Sequence, residues 1–522
     1  MEYFLNKKNI SILFCLLLAT LIFFLQSNLN FTKYKLNWDE VDYANAASKG
    51  FINNYFDHDS IGIREFVNIG ISKFNNSFEN IKKTNFKINE KIDNFNLRHF
   101  HPPFPIYYLS IFIDKKEVGN IKNHKLRLSQ LFFFFISIVI LVFFIYIKSS
   151  NLKSYLLSLL LLIFFISNKS FISNYLNFNF HSFFSIIVLY HIISSLNYYY
   201  YNKIFWKINF ILSISLLIIT LETFPFILIS SFIIYFIKKP KENKIKIFNL
   251  FKDFILSILV SIILFPSLII KLTYLKTYLM YFYRIFNNSN KEYQDVSIFN
   301  NLYDFIIYNY LIIVFIIFLF LYSIITCKGY KNSKYFFIYS FVYSIFISPF
   351  MLSYTYIFPS LFILIFLTII IYSDFNSSFF KTLILVTIIT FGIFLNIIDY
   401  YKTDYKNSFN SFNKNIEYII KNHLNDIDKE ILIDGAHIYK FYIDNKNLRE
   451  LNIYDLNNPS FYIRENYQNI DVSEQIINNR YDKIIIQSSR NYNKEKINFL
   501  TNNNYHLSSN KNGYKIYQLS ND

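Results

Sequence analysis

Apolar runs of membrane-spanning length recur along the first four hundred residues, and no other feature limits so severely what this chain can fold into. The first is "SILFCLLLATLIFFLQ" (11–26). Lipid offers no partner for backbone N–H and C=O groups, so such runs must close their hydrogen bonds internally as helices. At 1.5 Å per residue, roughly twenty residues cross the ~30 Å hydrocarbon core. Helices are expected near 10–27, 129–147, 154–168, 180–197, 206–221, 223–238, 252–270, 304–325, 335–350, 353–372 and 382–399, about eleven in all. The fold class is therefore an α-helical polytopic membrane protein.

Composition agrees. Of 522 residues, 53% are hydrophobic and 21% aromatic, and only 8 Gly and 9 Pro interrupt the pattern. The formal charge of +17 reads as cytoplasmic loop lysines, not as a nucleic-acid surface. Cys15 and Cys327 fall within or at the edge of expected helices, which argues against a disulfide and against a cysteine metal site. The N-terminal "MEYFLNKKN" precedes an apolar run with no small-residue cleavage site, so an uncleaved first helix is expected.

Charge sets the expected orientation. Lys7 and Lys8 precede the first helix, and "KKPKENKIK" (238–246) and "CKGYKNSK" (327–334) fall on the same side by this count. The opposite short connections, around 222 and 351, carry no Lys or Arg. The positive-inside rule then puts the N-terminus in the cytoplasm and, with an odd helix count, the tail outside. The expected divisions are a membrane body over 1–399, containing a large extracytoplasmic first loop at 28–128, and a tail domain over 400–522.

Within the first loop, "DSIGIREFVNIGISKF" (59–74) puts Ile63, Phe66, Val67, Ile71 and Phe74 on one helical face. Such a stripe suits a helix lying on the membrane surface, or equally one packing on its own loop. The tail holds strand-like runs at 429–435, 481–489 and 513–519 between helix-compatible stretches, the pattern of a small α/β domain. It has no Gly-rich phosphate loop.

Two segments could carry chemistry. "NWDEVDYANAASKGF" (37–51) places Asp39, Glu40 and Asp42 just beyond the first membrane helix. Asn37 and Glu40 fit a capping box, with Asp39 favoured by the positive end of the helix dipole. The same position also suits a catalytic base at the membrane surface. The second segment is "LRHFHPPFPIYYL" (97–109). Pro102 and Pro103 force an extended backbone, in which His99 and His101 point the same way. With Arg98 they make a cationic elbow suited to a phosphate, or a rigid turn that launches the next helix.

The acidic start, Asp39, Glu40, Tyr43, Ala47 and Gly50, followed by His101, Pro102, Pro103 and Tyr107, resembles the C-type integral-membrane glycosyltransferases. That superfamily includes protein O-mannosyltransferases, lipid A aminoarabinose transferases and lipopolysaccharide-core sugar transferases. "TYIFPSLFILI" (355–365), with Tyr356, echoes the aromatic-proline segment that opens a late helix in the family. Departures are Phe100, where a carboxylate is usual, and Glu222 as the only ionisable residue between the fifth and sixth helices.

The resemblance implies a polyprenyl-phosphate-linked sugar donor of hexose or pentose type, presented at the outer face of the cell membrane. It implies a lipid, lipopolysaccharide, glycan or protein acceptor. An alcohol is a poor nucleophile until its proton is taken, which gives Asp39 the base role and the reaction inverting stereochemistry. Glu40 then either orients the acceptor or caps the helix. His101 and Arg98, with Arg284 further along the chain, become the phosphate-binding candidates. His99, His181, Glu222 and Tyr356 become candidates for the cavity wall. A divalent metal is compatible with this chemistry but not required by the sequence. The competing class is a lipid or polysaccharide transporter, or a nonenzymatic envelope protein. Transporters tend to show internal repeats and polar groups at the bilayer midplane; here no repeat is evident and the ionisable residues cluster in the outer loops.

Overall fold

The structure, a computed structural model, describes residues 7–29, 35–36, 38–48, 50–56, 102–113, 123–238, 245, 247–270, 303, 305–307, 309–326, 342–343, 359, 379–402, 405–424, 429–433, 439, 453–455, 477–479, 481–487 and 494–520. In chain order its helices are α1 (Lys7–Leu29), α2 (Trp38–Ser48), α3 (Phe51–Phe56), α4 (Phe104–Leu109), α5 (Asn123–Lys148), α6 (Leu152–Ile166), α7 (Lys169–Leu176) and α8 (Phe180–Tyr201). They continue with α9 (Ile204–Ile218), α10 (Phe224–Lys238), α11 (Ile247–Leu264), α12 (Ser267–Ile270), α13 (Tyr310–Thr326), α14 (Phe379–Lys402), α15 (Tyr405–His423) and α16 (Lys494–Asn502).

Four stretches among the described residues are long and apolar enough to cross a membrane: Lys125–Ile147, Phe180–Tyr199, Ile247–Leu264 and Phe379–Lys402. Shorter apolar helices at Leu152–Ile166, Ile204–Ile218, Phe224–Phe236 and Tyr310–Leu319 accompany them. The chain is mostly helical and reads as an integral membrane protein. The expected helices at 335–350 and 353–372, and the stripe at 59–74, lie outside the described residues. One expectation is corrected. The run 252–270 is not one helix: α11 stops at Leu264, and a break at Phe265 and Pro266 precedes α12. Proline cannot donate the next helical hydrogen bond, and the residue before it is pushed out of the helical region.

The chain divides into two compact units. The first comprises the described residues within Met1–Thr32, Arg127–Leu264 and Asp295–Tyr405. Without a hydrophobic drive between helices in lipid, packing relies on small residues and interhelical hydrogen bonds. Serines supply both here. Ser215 on α9 donates to the Ser257 carbonyl on α11 at 2.8 Å, and the Tyr199 hydroxyl on α8 meets Ser231 on α10 at 2.9 Å. Asp253 on α11 is buried, accepts from the Tyr198 hydroxyl at 2.6 Å and pairs with Lys207 at 2.9 Å. Elsewhere in this unit, Gly392 lets α14 approach α6, since a Cβ there would sit 2.7 Å from the Phe164 ring. The Asn396 amide then donates to the Phe164 carbonyl at 2.8 Å, and Lys169 pairs with Asp399 at 2.9 Å.

The second unit comprises the described residues within Lys33–Leu126, Phe265–Gln294 and Lys406–Asp522. Its sheet has the order β2-β1-β3-β5-β4, from β1 (Ile431–Ile433), β2 (Ile453–Asp455), β3 (Lys483–Gln487), β4 (Tyr505–Lys511) and β5 (Tyr514–Leu519). β1 pairs in parallel with β2 and β3, and β5 runs antiparallel to β3 and β4. Asn512 and Gly513, at φ 53° and 75°, make the two-residue hairpin turn between β4 and β5, the left-handed pair that a type I′ turn needs. One face of the sheet buries Ile431, Ile433, Ile485 and Ile516 against Ile416, Ile419 and Leu424 of α15 and the residue after it. The other buries Leu432, Ile484, Ile486 and Tyr517 with Leu500 of α16. A period of two along each strand accounts for this division.

Candidate functional site

In the second unit, α2 begins at Trp38, so Asp39 and Glu40 both lie in its first turn. Aligned peptide dipoles favour negative charge at this end by about 0.3–1 kcal/mol per group. The two carboxylates nevertheless differ: Asp39 is exposed, whereas Glu40 is 0% exposed. A buried carboxylate requires protein partners, so Glu40 is engaged in the fold, while Asp39 lies at the surface. Asn37, the cap in the sequence reading, lies outside the described residues.

The rest of the acidic motif builds the seat for the second motif. Tyr43 and Ala47 are buried on α2. Gly50 ends that helix at φ 82°, its N–H donating to the Ala47 carbonyl at 2.9 Å; a left-handed residue at this point is the usual glycine role after a helix. The turn sets Asn54 of α3 inward. Its side-chain amide donates to the Ala46 carbonyl at 2.8 Å, to the Gly50 carbonyl at 3.0 Å and toward the Ser110 hydroxyl at 3.5 Å. Ser110 closes α4, so this one amide joins all three helices, and α4 packs on both α2 and α3. Pro102 and Pro103 are buried before α4, where Pro103 is the N-cap and Pro105 lies in the first turn, as proline tolerates. The acidic segment and the Pro102-Pro103 segment thus belong to one three-helix cluster.

Tyr107 projects from α4 into this cluster. Its ring meets Phe51 edge-on at 5.3 Å and Tyr55 at 6.2 Å between centroids. Its hydroxyl is buried and has no hydrogen-bond partner among the described residues. Burial, with a smaller push from the neighbouring Tyr55, raises the phenol well above its ordinary value, so the group stays protonated at every physiological pH.

The tail reaches the same cluster's entry. The Lys35 backbone N–H donates to Oδ1 of Asn413 on α15 at 2.8 Å, and its ammonium lies 3.8 Å from Glu417. With Glu417 exposed and the pair at the limit of contact, the ion pair contributes little; the backbone bond is the one that fixes the chain four residues before Asp39.

His181 and Glu222 belong to the first unit. His181 lies in the first turn of α8. Gln130 braces the turn before it, donating to the Asn174 and Asn177 carbonyls at 2.8 and 2.7 Å and accepting from the Asn179 N–H at 2.7 Å. Glu222 sits in the turn between α9 and α10 and is 3% exposed. Arg127, on the α5 face one turn before Gln130, is fully buried; nothing in the sequence singled it out. Arg98, His99, His101, Arg284 and Tyr356 lie outside the described residues. Among the described residues, no group of three or more His, Cys, Asp or Glu side chains is placed to hold a metal ion.

This mostly helical membrane chain has an ArnT-like fold, in keeping with the sequence resemblance. Two crystal structures of ArnT from Cupriavidus metallidurans share it. The one bound to undecaprenyl phosphate matches with a TM-score of 0.54 at 9% identity, over 97% of each chain. The apo structure matches with a TM-score of 0.52 at 10% identity, over 96% of this chain and 97% of that one. Likeness at such low identity is a likeness of fold. No protein-family model and no curated protein matches the sequence.

Proposed function

We propose that the chain is an integral-membrane glycosyltransferase that moves a hexose or pentose from a polyprenyl-phosphate carrier to a hydroxyl of a lipid, glycan or protein. The reaction takes place at the outer face of the cell membrane, with the N-terminus cytoplasmic and the tail outside. The observation that carries this reading is that the helix presenting an exposed Asp39 packs in one cluster with the helix launched by Pro102 and Pro103. The ArnT fold, and the undecaprenyl phosphate bound in one ArnT structure, support the choice of donor.

In this reading Asp39 accepts the proton of the acceptor hydroxyl as its oxygen attacks the anomeric carbon. The sugar–phosphate bond breaks on the opposite face, which inverts the centre and releases the lipid phosphate. Cations meet the charge that develops on that phosphate: His101 and Arg98 from the elbow, with Arg284. Glu40, fully buried, holds the first turn of α2 so that Asp39 is presented at a fixed height.

The test is the glycolipid and glycan profile of cells lacking the gene. One glycan should lose a single sugar, and the wild-type chain should restore it while Asp39→Asn should not. An unchanged profile in cells known to express the protein would contradict the proposal.

A further inference from the structure

We infer that Tyr107 contacts the lipid carrier directly: its hydroxyl donates a hydrogen bond to the carrier phosphate, and the isoprenoid chain lies along the apolar face of α3 beside it. The inference rests on the function proposed above and assigns it a residue outside the cationic elbow.

Two independent observations point to an amphiphile. The first is the buried hydroxyl of Tyr107, which has no hydrogen-bond partner among the described residues and belongs to a side chain only 7% exposed. Buried hydroxyls are almost always satisfied, and this one lies in the cluster that also presents Asp39. A protonated phenol has one proton to give, and an anionic oxygen is its strongest acceptor. The second is the surface of α3. At 100° per residue, Phe51, Tyr55, Ile52 and Phe56 fall within one 140° arc. Phe51, Ile52 and Phe56 are 47%, 67% and 61% exposed. Asn54 lies off this arc and fastens the helix to α2 and α4. The Phe51 and Tyr55 rings bridge from this arc to the Tyr107 ring. An isoprenoid phosphate fits both parts, because one end is an anion and the rest is branched hydrocarbon. Bulk lipid fits the α3 face but leaves the phenol unused.

Tyr107→Phe separates these cases. Removing a hydroxyl that no described protein group engages should leave the thermal midpoint of the purified full-length chain unchanged or higher. Affinity for undecaprenyl phosphate should fall by roughly ten- to a hundredfold, the usual range for a bond to a charged acceptor. Undecaprenol, which lacks the phosphate, should bind the two proteins equally. If the wild type binds undecaprenyl phosphate and Tyr107→Phe binds it as tightly, the inference fails and the proposed function stands. A lowered thermal midpoint in Tyr107→Phe would show that the hydroxyl serves the fold, and would overturn the inference. A wild type that does not bind undecaprenyl phosphate overturns the proposed function and this inference together.

Discussion

Asp39 and Glu40 are adjacent, chemically alike and in the same helical turn, yet only one is accessible. That contrast predicts different defects. Glu40→Gln removes a buried charge from its partners and should lower stability by about 1–3 kcal/mol, read as a drop in the thermal midpoint. Transfer per folded molecule should change less than tenfold. Gly50 makes a second residue-scale prediction. Its φ of 82° lies where an L side chain costs about 1–2 kcal/mol, so Gly50→Ala should destabilise the three-helix cluster by that amount in thermal or chemical melts. In the sequence, the Asp-Glu to Gly spacing was legible only as a family echo. The structure supplies a physical reason for its non-acidic members: Ala47 and Gly50 let α2 turn back so that α3 and α4 can pack on it. That the hydroxyl of Tyr107 is buried without a partner among the described residues was not legible, because a lone tyrosine in an aromatic-rich chain carries no sign of whether its oxygen finds a partner.

At the scale of elements, the apolar runs coincide with most of the long apolar helices among the described residues, because lipid leaves the backbone no alternative. The exception at 252–270 turned on Pro266, visible in the sequence but outweighed by the apolar run around it. Strands fared differently. The runs at 429–435, 481–489 and 513–519 coincide with β1, β3 and β5, while β2 and β4 were missed. β2 is only three residues long. β4, with the sequence YHLSSNK, buries little beyond Tyr505, and its place is set by pairing with β5 rather than by its own pattern. The tail helix α15 carries the pH prediction. Burial, then the nearby Lys483, lowers the His423 proton affinity in the fold. The unfolded chain therefore takes up that proton first, so stability from this group is present above about pH 6.5, the ordinary histidine value, and is lost as pH falls through it. Melts of the full chain should show this acid sensitivity, and His423→Gln should flatten it. Because α15 also holds Lys35 through Asn413, Asn413→Ala should reduce transfer by a few-fold while leaving the tail folded, which tryptic resistance of the sheet would check.

At the scale of the whole molecule, the sequence carried the fold class through lipid physics, and the resemblance drawn from two short motifs agrees with the ArnT-like fold seen at 9–10% identity. The sugar and the acceptor were not legible, since sugar pockets are shallow polar surfaces assembled from several loops. Orientation was read from loop lysines alone. A reporter fused after residue 522 should behave as extracytoplasmic; a cytoplasmic signal from a stable fusion would overturn the odd helix count. The central claim is that Asp39 is the base of an inverting sugar transfer, and the direct measurement is single-turnover transfer by purified Asp39→Asn, using the donor and acceptor identified from the deletion strain. Asparagine keeps the size and tolerates the helix start, but it cannot take a proton at neutral pH. General-base contributions are typically ~10²–10⁴-fold, so the account predicts a loss of that size with donor binding and thermal midpoint retained. Transfer within about threefold of wild type, far below that general-base range, would contradict it.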